Sequence, residues 1–554
     1  MTDTKPSPAA TPDVRGARRH ANSLLVLLII AGAQLMVVLD GTIVNVALPS
    51  MGAYFHKNQT DMTWALNAYT LAFGGLLLLG GRSGDILGRR RMFIVGLSLF
   101  TTGSFLAGVA VNFPMMLAGR VVQGLGGAIA APTALSLITN EFKEGAERTR
   151  ALAVYAAVSG AGAALGLLLG GVLTNYFSWR WVLFVNVPIG LALIAGAFLY
   201  LHQTERLTGR FDFLGALLSM AGMVSLVYGF IHVAHDGWGN TETFVVFTAS
   251  VALLVGFGLY EAYGTSSPMM PMRIFENGSR LGTYLVMLVV GAAMFGMFYF
   301  ITFFIQGVRE YSALKTGFAF LPIALIIGVT SQVVAKLLPK FGPKILIVIG
   351  TCILTVALLW LSTVNADSSY LGTLLPGMLV LAFAMGFLFV PLTTVAVSKI
   401  SNTDAGLASA LLNVGQQVGG AIGLSVLATV FATSAKRYAS DHTAAIRQAV
   451  GKLPAALRQP VGDFVGHAGG NGLQQSDIRK FIDTLPANQR GPAAGFFNGT
   501  YRDFGHDLQA HASGHGFFAG AMFALVAIVV AVFMIRIKKD EVPTQPPAEV
   551  ALAV

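Results

Sequence analysis

Residues 36–49 read MVVLDGTIVNVALP, and Asp40 decides how the chain is to be read. The sixteen positions before it, Leu24–Leu39, carry no charge, and the residues after it stay uncharged through Leu48. A carboxylate at the centre of a membrane helix costs roughly 2.5–3.5 kcal/mol on insertion scales. An acid kept there needs a compensating partner and is a proton-relay candidate by default. The stretch therefore sets two expectations: a helical membrane protein, and a cation somewhere opposite Asp40.

Composition agrees with the first. The chain has 554 residues, of which 55% are hydrophobic and 11% charged. Soluble domains carry about 25% charged residues, and the mean hydropathy here is +0.68. The net charge of +10 could suggest nucleic acid, but the basic residues stand at the ends of apolar runs, which is a membrane-orientation pattern. Leu24–Leu48 is too long for a signal h-region and reads as a retained first span. The one cysteine, Cys352, sits in an apolar run and is expected to be packed.

A bilayer-crossing helix needs about 20 apolar residues. Such runs fall near 24–48, 62–81, 91–111, 114–138, 150–175, 181–201, 213–233, 243–263, 281–305, 315–338, 343–363, 372–396, 406–434 and 515–536. Fourteen spans put both termini on one side. With that side cytoplasmic, the inner segments hold 22 Lys and Arg, against Lys57, Arg180, Arg309 and Lys315 in the short outer loops. The positive-inside rule is strongly satisfied.

GRRRMFIVG (88–96) and GPKILIVIG (342–350) share end glycines and apolar filling, 254 residues apart. Six helices with short loops need fewer residues than that, so two extra helices fit between two halves. The expected fold is an all-α polytopic membrane protein with two six-helix bundles. Its parts are a cytoplasmic tail (1–23), the first bundle (24–201), two linker spans (202–280), the second bundle (281–536) and a tail (537–554). The second bundle contains a large extracytoplasmic loop, 435–514.

Away from span ends, the predicted helices hold two full charges, Asp40 and Arg120. At 1.5 Å rise per residue, Asp40 lies about 12 Å from the outer end of a helix stopping at Leu48, and Arg120 about 9 Å from Pro114. Opposite charges at similar depth can compensate each other if their helices are neighbours. One reading is a structural ion pair. The other is a proton switch, in which burial raises the carboxylate's proton affinity and Arg120 lowers it.

LDGTIVNVALP (39–49), GGRSGDILGRRR (80–91) and GRVVQGLGGAIAAP (119–132) resemble the major facilitator superfamily. WRWVLFVNVPIG (179–190), the two extra helices and DAGLASALLNVGQQVGGAIG (404–423) resemble its fourteen-helix drug:proton antiporter branch. The resemblance implies a secondary exporter of hydrophobic drugs, driven by the proton gradient without a cofactor. Asp40 and Arg120 would then serve proton coupling. Gly81, Asp85, Gly88, Arg89, Arg90 and Arg91 would form a cytoplasmic gate, plain positive-inside anchoring being the alternative. GAGAALGLLLGG (160–171) is similar to the antiporter motif, with Gly162, Gly166, Gly170 and Gly171 on a packing face. Leu167 stands where the family usually has proline.

The candidate cavity residues are Asn45, Asn67, Gln123, Tyr155, Phe295, Phe298, Asn413 and Gln416. For each amide, packing or interhelical bonding is an open alternative, and MFGMFYFITFF (294–304) could equally face lipid or core. Few carboxylates line this set, so lipophilic monocations, neutral compounds or anions suit it better than dications. His442, His467, His506, His511 and His515, in or beside the large loop, have poor metal spacing, and no metal is expected. No GxxxxGK[ST] motif exists, which argues against ATP-driven transport. The expected partners are a small lipophilic substrate, protons and membrane lipids. No nucleic acid is expected, and the chain is expected to be a monomer, with an extracytoplasmic partner at 435–514 left open. The alternatives are an exporter dedicated to one metabolite, antibiotic or lipid, a proton symporter, and, more remotely, a non-transporting sensor or scaffold.

Overall fold

A computed structural model describes residues 14–142, 146–203, 211–266, 268–398, 402–467 and 475–537. Among these residues there is helix and no strand. The first six helices are α1 (Val14–Phe55), α2 (Gln59–Leu87), α3 (Arg89–Gly108), α4 (Phe113–Glu141), α5 (Ala146–Tyr176) and α6 (Asn186–Tyr200). Then come α7 (Phe213–Asp236), α8 (Thr241–Leu259), α9 (Gly278–Gly307), α10 (Ala313–Phe341), α11 (Pro343–Leu361), α12 (Leu375–Val397) and α13 (Asn402–Asp441). Four short helices follow: α14 (Thr443–Gly451), α15 (Ala455–His467), α16 (Gln475–Thr484) and α17 (Ala487–Phe496). The long α18 (Arg502–Met534) is the last helix among the described residues. Thirteen helices among the described residues are long and apolar enough to cross a membrane, and a shorter apolar stretch, Gly162–Tyr176, lies in α5.

Side chains start several of these helices by capping the orphan N–H groups of their first turns. Asn58 accepts from Asp61 N–H at 2.7 Å, Asn112 from Met115 at 2.9 Å and Asp212 from Gly215 at 2.8 Å. Gly88 (φ 101°) joins α2 to α3, and Gly342 (φ 75°) joins α10 to α11. Both occupy the positive-φ region that side chains disfavour. The two segments of the sequence repeat therefore make the same turn at the same place in each half.

Helices α1–α6 pack mainly on one another, as do α9–α13 with α18. Helix α7 lies between the groups, against α2 and α13. Thr429 Oγ1 of α13 donates to Phe230 O of α7 at 2.6 Å, and Lys436 Nζ to Ala234 O at 2.9 Å. Helix α8 packs on α7 and is the least covered span. The two halves meet toward the Phe55 end of α1. Gln306 Nε2 donates to Val46 O at 2.9 Å, Tyr299 donates to Gln59 O, and a Cβ on Gly171 would lie 2.8 Å from Ala313 O. Deeper in, Asn67 Nδ2 donates to Ser425 Oγ at 2.9 Å.

Three sequence expectations are corrected. Helix α1 does not stop at Leu48: it continues through Pro49 to Phe55. Proline removes one backbone donor, a loss that packed neighbours in a membrane bundle tolerate. Second, α13 and α18 reach well into the stretch expected as loop, where Tyr438 meets Phe504 and His511 with ring centroids 6.0 and 4.9 Å apart. The short helices beyond them share an aromatic core, with Phe464 stacked on Phe481 at 4.1 Å. Third, Cys352 is exposed on α11.

Candidate functional site

Asp40 is completely buried in α1, and Arg120 of α4 is 1% exposed. Arg120 Nη1 donates to Asp40 Oδ2 at 2.6 Å. Asp40 Oδ1 accepts from Gln123 Nε2 at 2.6 Å and from Asn186 Nδ2 of α6 at 3.0 Å. The carboxylate thus has three donors from two helices, and the charge-assisted contacts to Arg120 and Gln123 are short. Because α1 runs on to Phe55, Asp40 is about 22 Å of helix from that end. The excess over the sequence estimate is the added two turns, and the long Arg120 side chain still closes the contact.

Every partner of Asp40 is itself held. Arg120 Nη1 also donates to Gln123 Oε1 at 2.7 Å, and its Nε to Ala65 O of α2 at 3.1 Å. The guanidinium lies over the Tyr69 ring, 4.4 Å from the centroid. Ser104 Oγ of α3 accepts from Gln123 Nε2 at 3.1 Å and from Asn186 Nδ2 at 3.0 Å. It donates to Leu183 O at 2.9 Å. Asn186 Oδ1 alone in this cluster is buried with no hydrogen-bond partner. Taking two charges out of water is expensive, and the hydrogen bonds around this pair help offset that cost.

Glycines bring the backbones close enough for these contacts. A Cβ at Gly124 of α4 would sit 2.5 Å from Tyr69 O of α2, so only glycine allows the approach that sets Arg120 beside Tyr69. On α5, Gly162 faces Leu35 and Val38, Gly166 faces Leu39 O and Thr42, and Gly170 faces Ile43 O. Those three seat α5 on the segment of α1 that carries Asp40, while Gly171 faces α10. Leu167 is buried inside an unbroken helix.

The other sequence-derived residues lie apart from this cluster. Asn45 Nδ2 donates to Gly41 O of its own helix at 2.9 Å. Asn67 bonds Ser425, and its Oδ1 is buried without a partner. Tyr155 donates to Gln34 Oε1 at 2.6 Å, joining α5 to α1. Phe295 packs over Gly420, and Phe298 meets Phe320 with ring centroids 5.3 Å apart. Gln416 Nε2 points at Met294 Sδ, 3.7 Å away, and Asn413 is exposed.

In the α2–α3 turn, Arg89 pairs with Asp85 at 2.9 Å and Arg89 Nη1 reaches Ser136 O of α4 at 3.4 Å. Arg90 Nη2 donates to Phe198 O of α6 at 2.6 Å, and Arg91 is exposed. Gly81 faces Pro132, and Gly88 forms the turn itself. These partners all belong to the first half. Among the described residues, no cluster of His, Cys, Asp or Glu could hold a metal ion.

Sequence reasoning missed Asn186, Ser104 and Tyr69. Asn186 is an amide inside the apolar run WVLFVNVPIG, and that interruption was the available signal. A neutral side chain raises no alarm comparable to a charge.

Residues 30–424 match the profile of the Major Facilitator Superfamily. The chain is 41% identical to the puromycin resistance protein pur8 of Streptomyces alboniger, over 75% of this chain and 83% of that one. It is 38% identical to the cephamycin export protein CmcT of Amycolatopsis lactamdurans, over 75% and 88%. It is 31% identical to the tetracenomycin C resistance and export protein of Streptomyces glaucescens, over 98% and 97%. Among solved structures, a bacterial homolog of the human lysosomal transporter Spinster superposes with TM-score 0.58 at 14% identity, covering 97% of this chain and all of that one. The chain belongs to the Major Facilitator Superfamily, and is a multi-pass cell-membrane transporter rather than an enzyme.

Proposed function

We propose that the protein exports small lipophilic antibiotics in exchange for protons, by alternating access of its two halves. The observation that carries this reading is the buried Asp40 carboxylate, 2.6 Å from Arg120 Nη1 and held within one half. A proton on Asp40 removes the charge that Arg120, Gln123 and Asn186 are arranged to hold, so protonation and helix packing are coupled. The relatives are named for resistance to, or export of, puromycin, cephamycin and tetracenomycin C.

In this reading the chain has fourteen spans, α5 included, with both termini cytoplasmic. The first bundle is 24–201, the linker pair 202–280, and the second bundle 281–536. Contact between the halves at Val46, Gln59 and Ala313 would then close the outer side. Asp40 is ionised in this state, ready for substrate, and is protonated after release outside. Asp85 with Arg89–Arg91 gates the inner face. Transport needs no cofactor, and each elementary charge moved gains about 2.3 kcal/mol per 100 mV. The protein works as a monomer in contact with lipid.

A narrower reading, export of a single antibiotic, is favoured by relatives each named for one compound. The test of both is a panel of these compounds in proteoliposomes under an imposed pH gradient, with and without membrane potential. Wild type is expected to move substrate against the proton flow, and Asp40→Asn to lose that movement while still folding. Gradient-driven efflux by Asp40→Asn would remove Asp40 from the mechanism. One transported compound from the panel would select the narrower reading.

A further inference from the structure

We infer that Asn186 is the residue that reads the protonation state of Asp40, by rotating its side-chain amide half a turn. This deepens the reading of Asp40 as the proton carrier and rests on it. The argument is a count of donors and acceptors. An ionised carboxylate only accepts, and Asp40 accepts from Arg120 Nη1, Gln123 Nε2 and Asn186 Nδ2. A protonated Asp40 has one O–H to donate and must find an acceptor, because a buried donor left unpaired is strongly unfavourable.

One acceptor in the cluster has no hydrogen bond at all. Gln123 Oε1 already accepts from Arg120 Nη1, and Ser104 Oγ accepts twice while donating to Leu183 O. Asn186 Oδ1, fully buried, has no partner. In the orientation present, Asn186 turns its donor toward Asp40 and Ser104 and leaves its acceptor idle, as an ionised Asp40 demands. Rotation about Cβ–Cγ exchanges the two atoms. Oδ1 then lies where Nδ2 was, 3.0 Å from Asp40 Oδ1, and receives the new O–H. The proton stays on Asp40, no covalent bond of Asn186 changes, and Ser104 can rotate its hydroxyl toward the same oxygen.

Among the described residues, the charged or titratable groups facing Asp40 are Arg120 of α4 and Tyr69 of α2. Helices α3 and α6 present Ser104 and Asn186, α5 presents Gly166, and α9 meets α1 further out, at Val46. The rotation gives up the bonds from Nδ2 to Asp40 Oδ1 and Ser104 Oγ; the new O–H to Oδ1 replaces the first and a Ser104 hydroxyl turned to Oδ1 replaces the second, while Nδ2 takes the buried place Oδ1 had. Because α6 carries Asn186 and α1 carries Asp40, the rotation passes the protonation state from one helix to another.

The test is infrared difference spectroscopy of the whole protein across a pH jump, with 13C label in asparagine side chains. Protonation of Asp40 is expected to give a carboxylic C=O band, absent in Asp40→Asn. With it, one asparagine C=O band should move to lower frequency, and that shift should vanish in both Asp40→Asn and Asn186→Ser. A carboxylic band without any asparagine shift overturns the inference and leaves Asp40 as the carrier. No Asp40-dependent carboxylic band overturns the proton-carrier reading itself. In proteoliposomes, Asn186→Ser, whose side chain is too short to reach Asp40 Oδ1, should slow gradient-driven efflux. Asn186→Leu should lose about tenfold of it while substrate counterflow, which needs no proton cycle, is retained. Full gradient-driven efflux in Asn186→Leu overturns the inference.

Discussion

The two halves share a scaffold and differ in what they bury. Gly88 and Gly342 make matching positive-φ turns, and close glycine contacts hold α4 and α12 against their neighbours. Yet 254 residues after Asp40 stands Met294, and 254 after Arg120 stands Leu374. Among the described residues, no acid is buried in α9–α13 or α18. The buried hydroxyls of α12, Thr393 and Thr394, bond carbonyls of their own helix at 2.7 and 2.9 Å. The first half holds a charge network across five helices, whereas the second holds an apolar core rich in phenylalanine and, at the start of α9, a buried Arg280 that donates to backbone carbonyls of Ile274, Ala396 and Ser398. A shared backbone plan thus carries ionisable machinery on one side and adaptable packing on the other.

Breaking the charged side should be costly. Arg120→Ala leaves Asp40 buried and uncompensated, which should lower stability by about 3–5 kcal/mol and abolish efflux. Thermal unfolding in detergent checks this, and adding Asp40→Asn to that variant should recover part of the stability but none of the proton coupling. Recovery of coupling in the double variant would show that the second half can carry the proton.

A smaller effect is expected where the charged helix is seated. Gly166→Leu forces a side chain against Leu39 O and Thr42, so α5 must move off α1. Overpacking of this kind costs about 1–3 kcal/mol. Slower gradient-driven efflux with a lower unfolding temperature is the expected outcome, and unchanged values in both assays would remove the glycine face from the site. The smallest change should come from Asp85→Asn. Its pair with Arg89 is partly exposed, so the stability loss should stay at about 0–1 kcal/mol. If the pair gates the inner face, the transport rate shifts while the ratio of protons to substrate does not, which parallel flux measurements would show.

Legibility in the sequence followed energetic cost. Asp40 and Arg120 stood out because a charge in an apolar run has no cheap explanation, and Gln123 could be added by its place one turn from Arg120. Asn186, Ser104 and Tyr69 did not stand out, since neutral polar groups in a membrane helix can bond their own backbone, as Asn45 does. Helix ends were misjudged where other contacts outweighed the local signal, at Pro49 in α1 and in the polar start of α18.

The membrane class, the approximate position of nearly every span, the repeat and the identity of the buried ion pair are legible along the chain. Hydropathy and charge act locally along the chain, so they can be read without coordinates. That an amide on α6 completes the carboxylate's shell, that a hydroxyl on α3 ties two of its donors together, and that one amide oxygen stays unused came from helix packing alone. Hydrogen bonds between helices depend on angles and on approaches of a few ångströms, and these arise only when all the helices pack together.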